Sequence, residues 1–107
     1  MLNDAKTEIP LHCCRVCGAF YKDHYPWGPD GKTPLYTICS CCRVEFGNED
    51  CDGEGIEKYR ANWLNEGGDW LDHHTKPRHW NRVKQLEHIL DAETVHKLLA
   101  KHQVSAK

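Results

Sequence analysis

Two pairs of cysteines, each with two residues between its members, constrain this chain more than any other feature. They read Cys14-Arg-Val-Cys17, then 21 intervening residues, then Cys39-Ser-Cys-Cys42. Paired C-x₂-C motifs at this separation match a four-cysteine zinc site. Two residues between thiolates let a tight turn aim both sulfurs at one ion, and backbone N–H groups of the turn can ease the negative charge. Gly18 follows the first pair, where such a turn needs a positive φ. Arg43 stands at the matching place after the second pair, so the two turns are expected to be inequivalent. Zinc bound this way is tetrahedral and closed, a structural rather than a catalytic ion.

The ligand register has alternatives. Cys13 could replace Cys14, and Cys41 could replace Cys39 or Cys42; Cys51 and His12 are further donors. Cys14, Cys17, Cys39 and Cys42 are preferred because both pairs then share one spacer. Cys13, Cys41 and Cys51 read as small buried or half-buried residues, or as thiols open to oxidation. A disulfide framework fits poorly. The cysteines number seven, an odd count, in 107 residues. No run of 18 apolar residues suggests a membrane span, and Met1–Pro10 has no apolar h-region of a signal peptide. A cytoplasmic protein is expected, where structural disulfides are rare.

Only 39% of the residues are hydrophobic, a thin supply for one small domain, which a metal can supplement. A single domain over 1–107 is expected. It is α+β: a zinc-ribbon-like β-hairpin module over 13–46 followed by about three packed α-helices over 53–104. Met1–His12 reads as a loose lead-in. Asp30-Gly31 favours a hairpin turn, and Leu35–Ile38 reads as a strand. Between Glu45 and Glu57 there are six acids and no base, a loop that ends where Asp52 can cap a helix. That helix is expected over 55–66, with Ile56, Tyr59, Trp63 and Leu64 on one face and Gly67-Gly68 as its stop. Further on, Val83, Leu86, Ile89 and Leu90 form one stripe and Val95, Leu98 and Leu99 another. A break near Asp91, a second cap, turns both stripes to a common core.

The stretch Cys39-Ser-Cys-Cys-Arg-Val-Glu-Phe-Gly-Asn-Glu-Asp50 resembles the "ICPCCGVEFGYED" segment of small bacterial cysteine-rich proteins of the CPCC group. The likeness continues through Tyr59-Arg-Ala-Asn-Trp63-Leu, Gly67-Gly-Asp-Trp70-Leu, Lys76-Pro77 and Trp80-Asn-Arg-Val-Lys-Gln-Leu86. It spans about residues 13–90. Ser40 stands where that group tends to have Pro, and Arg43 where it has Gly, so a less regular zinc turn is expected. The resemblance implies a zinc-ribbon fold and no activity. Separately, Cys14-x₂-Cys17-Gly18 followed by Tyr21 resembles the first knuckle of rubredoxins, which hold iron. Arg43 and the basic helical tail depart from them.

No sequence motif of an enzyme appears: there is no His-Glu-x-x-His, no Gly-x-Ser-x-Gly and no phosphate-cradling glycine loop. His73, His74 and His79 with Asp69 or Asp72 could form a second site, but their spacing is that of surface or packing histidines. His88, His96 and His102 suit helix ends. Glu45, Glu49, Asp50, Asp52 and Glu54 read as a solvated acidic loop, and Tyr21, Tyr25 and Trp27 as core aromatics.

Charge is divided along the chain. Residues 1–75 hold 7 Lys/Arg and 13 Asp/Glu, and residues 76–107 hold 7 and 3. That is not the balance of a dedicated nucleic-acid binder. The expected function is a non-enzymatic zinc-binding module that contacts another protein, of the bacterial immunity or antitoxin type that covers a toxin. The alternatives are a nucleic-acid-binding regulator and a rubredoxin-like iron protein.

Overall fold

A computed structural model describes residues 9–105; residues 1–8 of the expected lead-in lie outside it. Three helices follow a helical turn at 9–11. They are α1 (Gly53–Asn65), α2 (Arg82–Leu86) and α3 (Ala92–Lys101).

Each helix starts on a side-chain cap that satisfies an otherwise orphaned amide. Asp52 accepts from Gly55 N at 2.8 Å, Asn81 from Lys84 N at 2.9 Å, and Asp91 from Thr94 N at 2.7 Å. α1 stops in a Schellman motif: Gly68 N donates to Trp63 O at 2.9 Å and Gly67 N to Leu64 O at 3.0 Å. Both glycines have positive φ, which makes this ending cheap for them. α2 is short, and four non-helical residues, 87–90, separate it from the Asp91 cap, so the break expected there is present.

The expected zinc-ribbon β-hairpin over 13–46 does not form, and the α+β assignment is corrected to helix and turn. Among the described residues pairing is limited to two isolated antiparallel bridges, Cys13↔Phe20 and Ile38↔Glu45. The physical reason lies on either side of each bridge. The inner side of each closes at once into a cysteine turn. Outside the first bridge the chain enters the 9–11 helical turn. Outside the second, Tyr36 sits at φ 57°, a left-handed conformation that ends extended pairing. Between the bridges, Gly28 N bonds Tyr25 O and Gly31 N bonds Gly28 O, each at 3.0 Å. These successive turns use the Pro/Gly-rich stretch completely. Asp30-Gly31 makes its turn, with Lys32 N donating to Asp30 Oδ1 at 2.8 Å, but no strands flank it. Leu35–Ile38 contributes only Ile38 to a bridge, flanked by Tyr36 N donating to Phe46 O at 3.1 Å and Phe46 N donating to Thr37 O at 3.0 Å.

One cluster of buried side chains holds the molecule together. The two cysteine pairs, Val16, Val44 and Phe46 meet Trp63 and Leu64 of α1, Leu86 of α2, and Val95 and Leu99 of α3. The helices therefore attach to the cysteine region, which lies at the centre of the core. Among the described residues no helix is long and apolar enough to cross a membrane.

Candidate metal centre

The two cysteine turns share one backbone path. In the first, Gly18 N donates to Cys14 O at 2.9 Å and Cys14 N to Ala19 O at 2.9 Å. In the second, Arg43 N donates to Cys39 O at 2.9 Å and Cys39 N to Val44 O at 2.8 Å. Gly18 and Arg43 occupy the same left-handed region, at φ 83° and 72°. The inequivalence expected from Arg43 is thus absent from the backbone: the arginine adopts the glycine conformation, at a cost of about 1–2 kcal/mol.

These turns bring Cys14, Cys17, Cys39 and Cys42 together, with all four sulfurs within 4.8 Å of one another. Across the turns, Cys14 Sγ lies 3.7 Å from Cys42 Sγ and Cys17 Sγ 3.7 Å from Cys39 Sγ. A tetrahedron of sulfurs ~2.3 Å from a central ion has edges of about 3.8 Å. The thiols are free and at most 2% exposed. The group could hold a metal ion, and one held there would be shut off from solvent.

The sulfurs are electrostatically unlike. Burial pushes the Cys17 thiol well up, as do the hydrogen bonds it donates to its neighbours. Burial opposes ionisation of Cys39 too, yet the hydrogen bonds it accepts from Cys14, Cys17, Cys42 and Tyr21 outweigh that and hold it well below the usual thiol value. The Tyr21 hydroxyl donates to Cys39 Sγ at 3.1 Å and accepts from Ser40 N at 2.9 Å. Hydrogen bonds of this kind orient a ligand and tune its charge.

The other donors considered stand outside the group. Cys13 is the bridge residue opposite Phe20, and burial, reinforced by the Cys14 charge, pushes its thiol up to about 12. Cys41 is fully buried but accepts from Gln85 Nε2 at 3.3 Å. Cys51 is exposed and donates to Gly47 O at 3.0 Å. His12 Nδ1 lies 2.8 Å from Tyr21 O.

Sequence reasoning missed what fixes the first turn. Four successive carbonyls, of residues 15 to 18, are each met by a side chain of the helical region. Arg60 donates from Nη2 to Arg15 O at 3.0 Å and from Nε to Val16 O at 2.8 Å. Gln85 Nε2 donates to Cys17 O at 3.1 Å, and His88 Nδ1 lies 2.8 Å from Gly18 O. A carbonyl only accepts, so the His88 proton sits on Nδ1. Gln85 is itself oriented by Trp80 Nε1, which donates to its Oε1 at 2.6 Å. Gly18 has a spatial role as well: a Cβ there would lie 2.2 Å from Gln85 O. The available signal was a polar residue on an otherwise apolar face: Arg60 four residues after Ile56, Gln85 beside Leu86.

Other candidates are accounted for by structure. Asp50 is fully buried, where it accepts from Trp27 Nε1 and Gly47 N, both at 2.8 Å. It is an internal loop tie, so that part of the acidic loop is not solvated. Asp69 pairs with Arg82 at 3.0 Å, and Asp72 accepts from His74 N at 3.1 Å. His73, His74 and His79 are exposed, and among the described residues they join no metal-holding group. Trp27 is covered by Arg15, whose Cζ lies 4.0 Å from the ring centre.

A scan against protein-family models, a search of curated proteins and a search of solved structures each find no match to this chain.

Proposed function

We propose that the chain is a zinc-binding, non-enzymatic interaction module whose ion organises the surface it presents to a protein partner. The observation that carries this reading is the pair of 3.7 Å cross-turn sulfur distances, close to the edge of a four-thiolate zinc tetrahedron. The choice of zinc rests on the closed four-cysteine set. Iron accepts the same geometry, so the purified protein's visible absorbance is the direct discriminator, since iron thiolate is coloured and zinc is not. Elemental analysis is expected to give one zinc per chain, lost in Cys14→Ser and Cys39→Ser. A folded wild type without metal overturns the proposal.

The partner class we assign is a protein with a basic site, such as a toxin whose active site an immunity-type protein covers. The net acidity of residues 1–75 supports it. The likeness to the CPCC group is compatible with this reading and adds no activity to it. Co-purification with the product of a neighbouring gene, weakened by salt, is the expected result. Deletion of this chain without change in toxin resistance, together with no captured partner, ends the immunity reading.

A further inference from the structure

A groove runs between the 9–11 turn, α1 and the chain after α2, with a volume near 510 Å³. That is the size of a small-ligand site. Leu11, Ile56 and Ile89 supply apolar wall, while Arg15, Arg60 and His88 supply the polar part. Among the described residues no acidic side chain lines it.

The two guanidiniums are fixed before any ligand arrives. Arg15 lies on the Trp27 ring and donates from Nη2 to Gly31 O at 2.7 Å. Arg60 is 8% exposed and spends Nε and Nη2 on the carbonyls of the first cysteine turn. Its Nη1 has no acceptor among the described residues, and neither arginine has a carboxylate at ion-pair distance. Burial lowers the Arg60 guanidinium pKa, opposed from further off by Glu57, three residues earlier on α1, and then by the sulfurs of Cys14, Cys17 and Cys42. A desolvated guanidinium with no carboxylate in contact, in an apolar groove, is unusual. Guanidinium groups match carboxylates better than any other acceptor but phosphate.

We propose that this groove binds a small ligand with an apolar body and one carboxylate, the carboxylate between Arg15 and Arg60 and the body along Leu11, Ile56 and Ile89. Two sources carry that chemistry: a free alkanoic acid and the C-terminal residue of a peptide with an apolar side chain. The site takes no ligand atom from the four clustered thiols, although Arg15 lies within the first cysteine turn and Arg60 is held on its carbonyls.

The test uses the full chain with its metal content measured in every sample. Decanoate and N-acetyl-Gly-Leu are titrated by calorimetry and by amide chemical shifts, beside their neutral forms decanamide and N-acetyl-Gly-Leu amide. At least one acid is expected to bind, to shift the amides of Leu11, Ile56 and Ile89, and to lose at least about tenfold in affinity as its neutral form. The tighter of the two acids identifies the source. Arg15→Gln is expected to show the same loss with metal content unchanged. Ile89→Glu, which puts a carboxylate in the groove, abolishes binding if Arg15→Gln proves unfolded. Equal affinity for acid and amide overturns the proposal. So does binding of neither acid, or shifts confined to another face. A failure here with full metal content leaves the zinc reading intact.

Discussion

The two cysteine turns follow the same path and are supported in opposite ways. The first is held by side chains that reach it from α1 and from α2 and the residues after it, one on each carbonyl from 15 to 18. The carbonyls of the second are met by main chain: Leu71 N donates to Cys41 O at 2.9 Å and Asp72 N to Ser40 O at 3.0 Å. The residue before each pair differs too, since Cys13 is 2% exposed and Ile38 54%. A shared backbone therefore does not imply shared sensitivity. The first turn depends on which side chains surround it, and the second mostly on where the chain runs.

The largest test addresses what the turns have in common. If the proposed zinc is bound, Cys17→Ser and Cys42→Ser are expected to be equally damaging, because each then removes one of four ligands of the same ion. Structural zinc contributes on the order of 10 kcal/mol of folding free energy in small domains, comparable to a whole domain's stability. Neither variant is expected to show a cooperative thermal transition. If only one does, the four thiols do not act as a unit.

The next test separates the turns. Gly18→Ala meets both the positive φ and the Gln85 carbonyl 2.2 Å from the new Cβ, an expected loss of about 2–5 kcal/mol in urea unfolding. Arg43→Ala keeps a left-handed non-glycine at an exposed position and is expected to shift stability by less than about 0.5 kcal/mol. Similar losses at both positions would erase the distinction. Arg60→Met strips two caps from the first turn and is expected to cost about 2–4 kcal/mol. Leu71→Ala keeps the amide that supports the second turn and is expected to cost under about 1 kcal/mol.

The last effect, visible only at alkaline pH, lies at the mouth of the first turn. The folded Cys13 thiol keeps its proton to about 12, whereas the unfolded thiol releases it near the ordinary 9.0. Stability from this group is complete below pH 9 and is lost as pH rises towards 12, because the unfolded chain then binds fewer protons. Urea midpoints of wild type are expected to fall more steeply over pH 9–11 than those of Cys13→Ala. Parallel curves would show that Cys13 is not buried as described.

The sequence was readable wherever one short stretch decides its own structure. The x₂ spacers, the caps at Asp52 and Asp91 and the Gly67-Gly68 stop all depend on near neighbours. The hairpin was misread because Asp30-Gly31 marks a turn regardless of whether strands flank it. Only Tyr36 in the left-handed region and the close succession of turns deny it those strands. Arg43 misled in the opposite direction: its identity argued for a different turn, and hydrogen bonding at Cys39 imposed the same one. The clamp was illegible for another reason. Arg60, Gln85 and His88 look like surface polar residues until the carbonyls they serve are brought to them.

Those carbonyls lie far back along the chain. Val16 precedes Arg60 by 44 residues, Cys17 precedes Gln85 by 68, and Gly18 precedes His88 by 70. Synthesis runs from the N-terminus at about 5–20 residues per second. Both cysteine pairs thus leave the ribosome seconds before the last of the side chains that will brace the first of them. During that interval a nascent chain presents the thiols of both pairs before the side chains that brace the first turn exist.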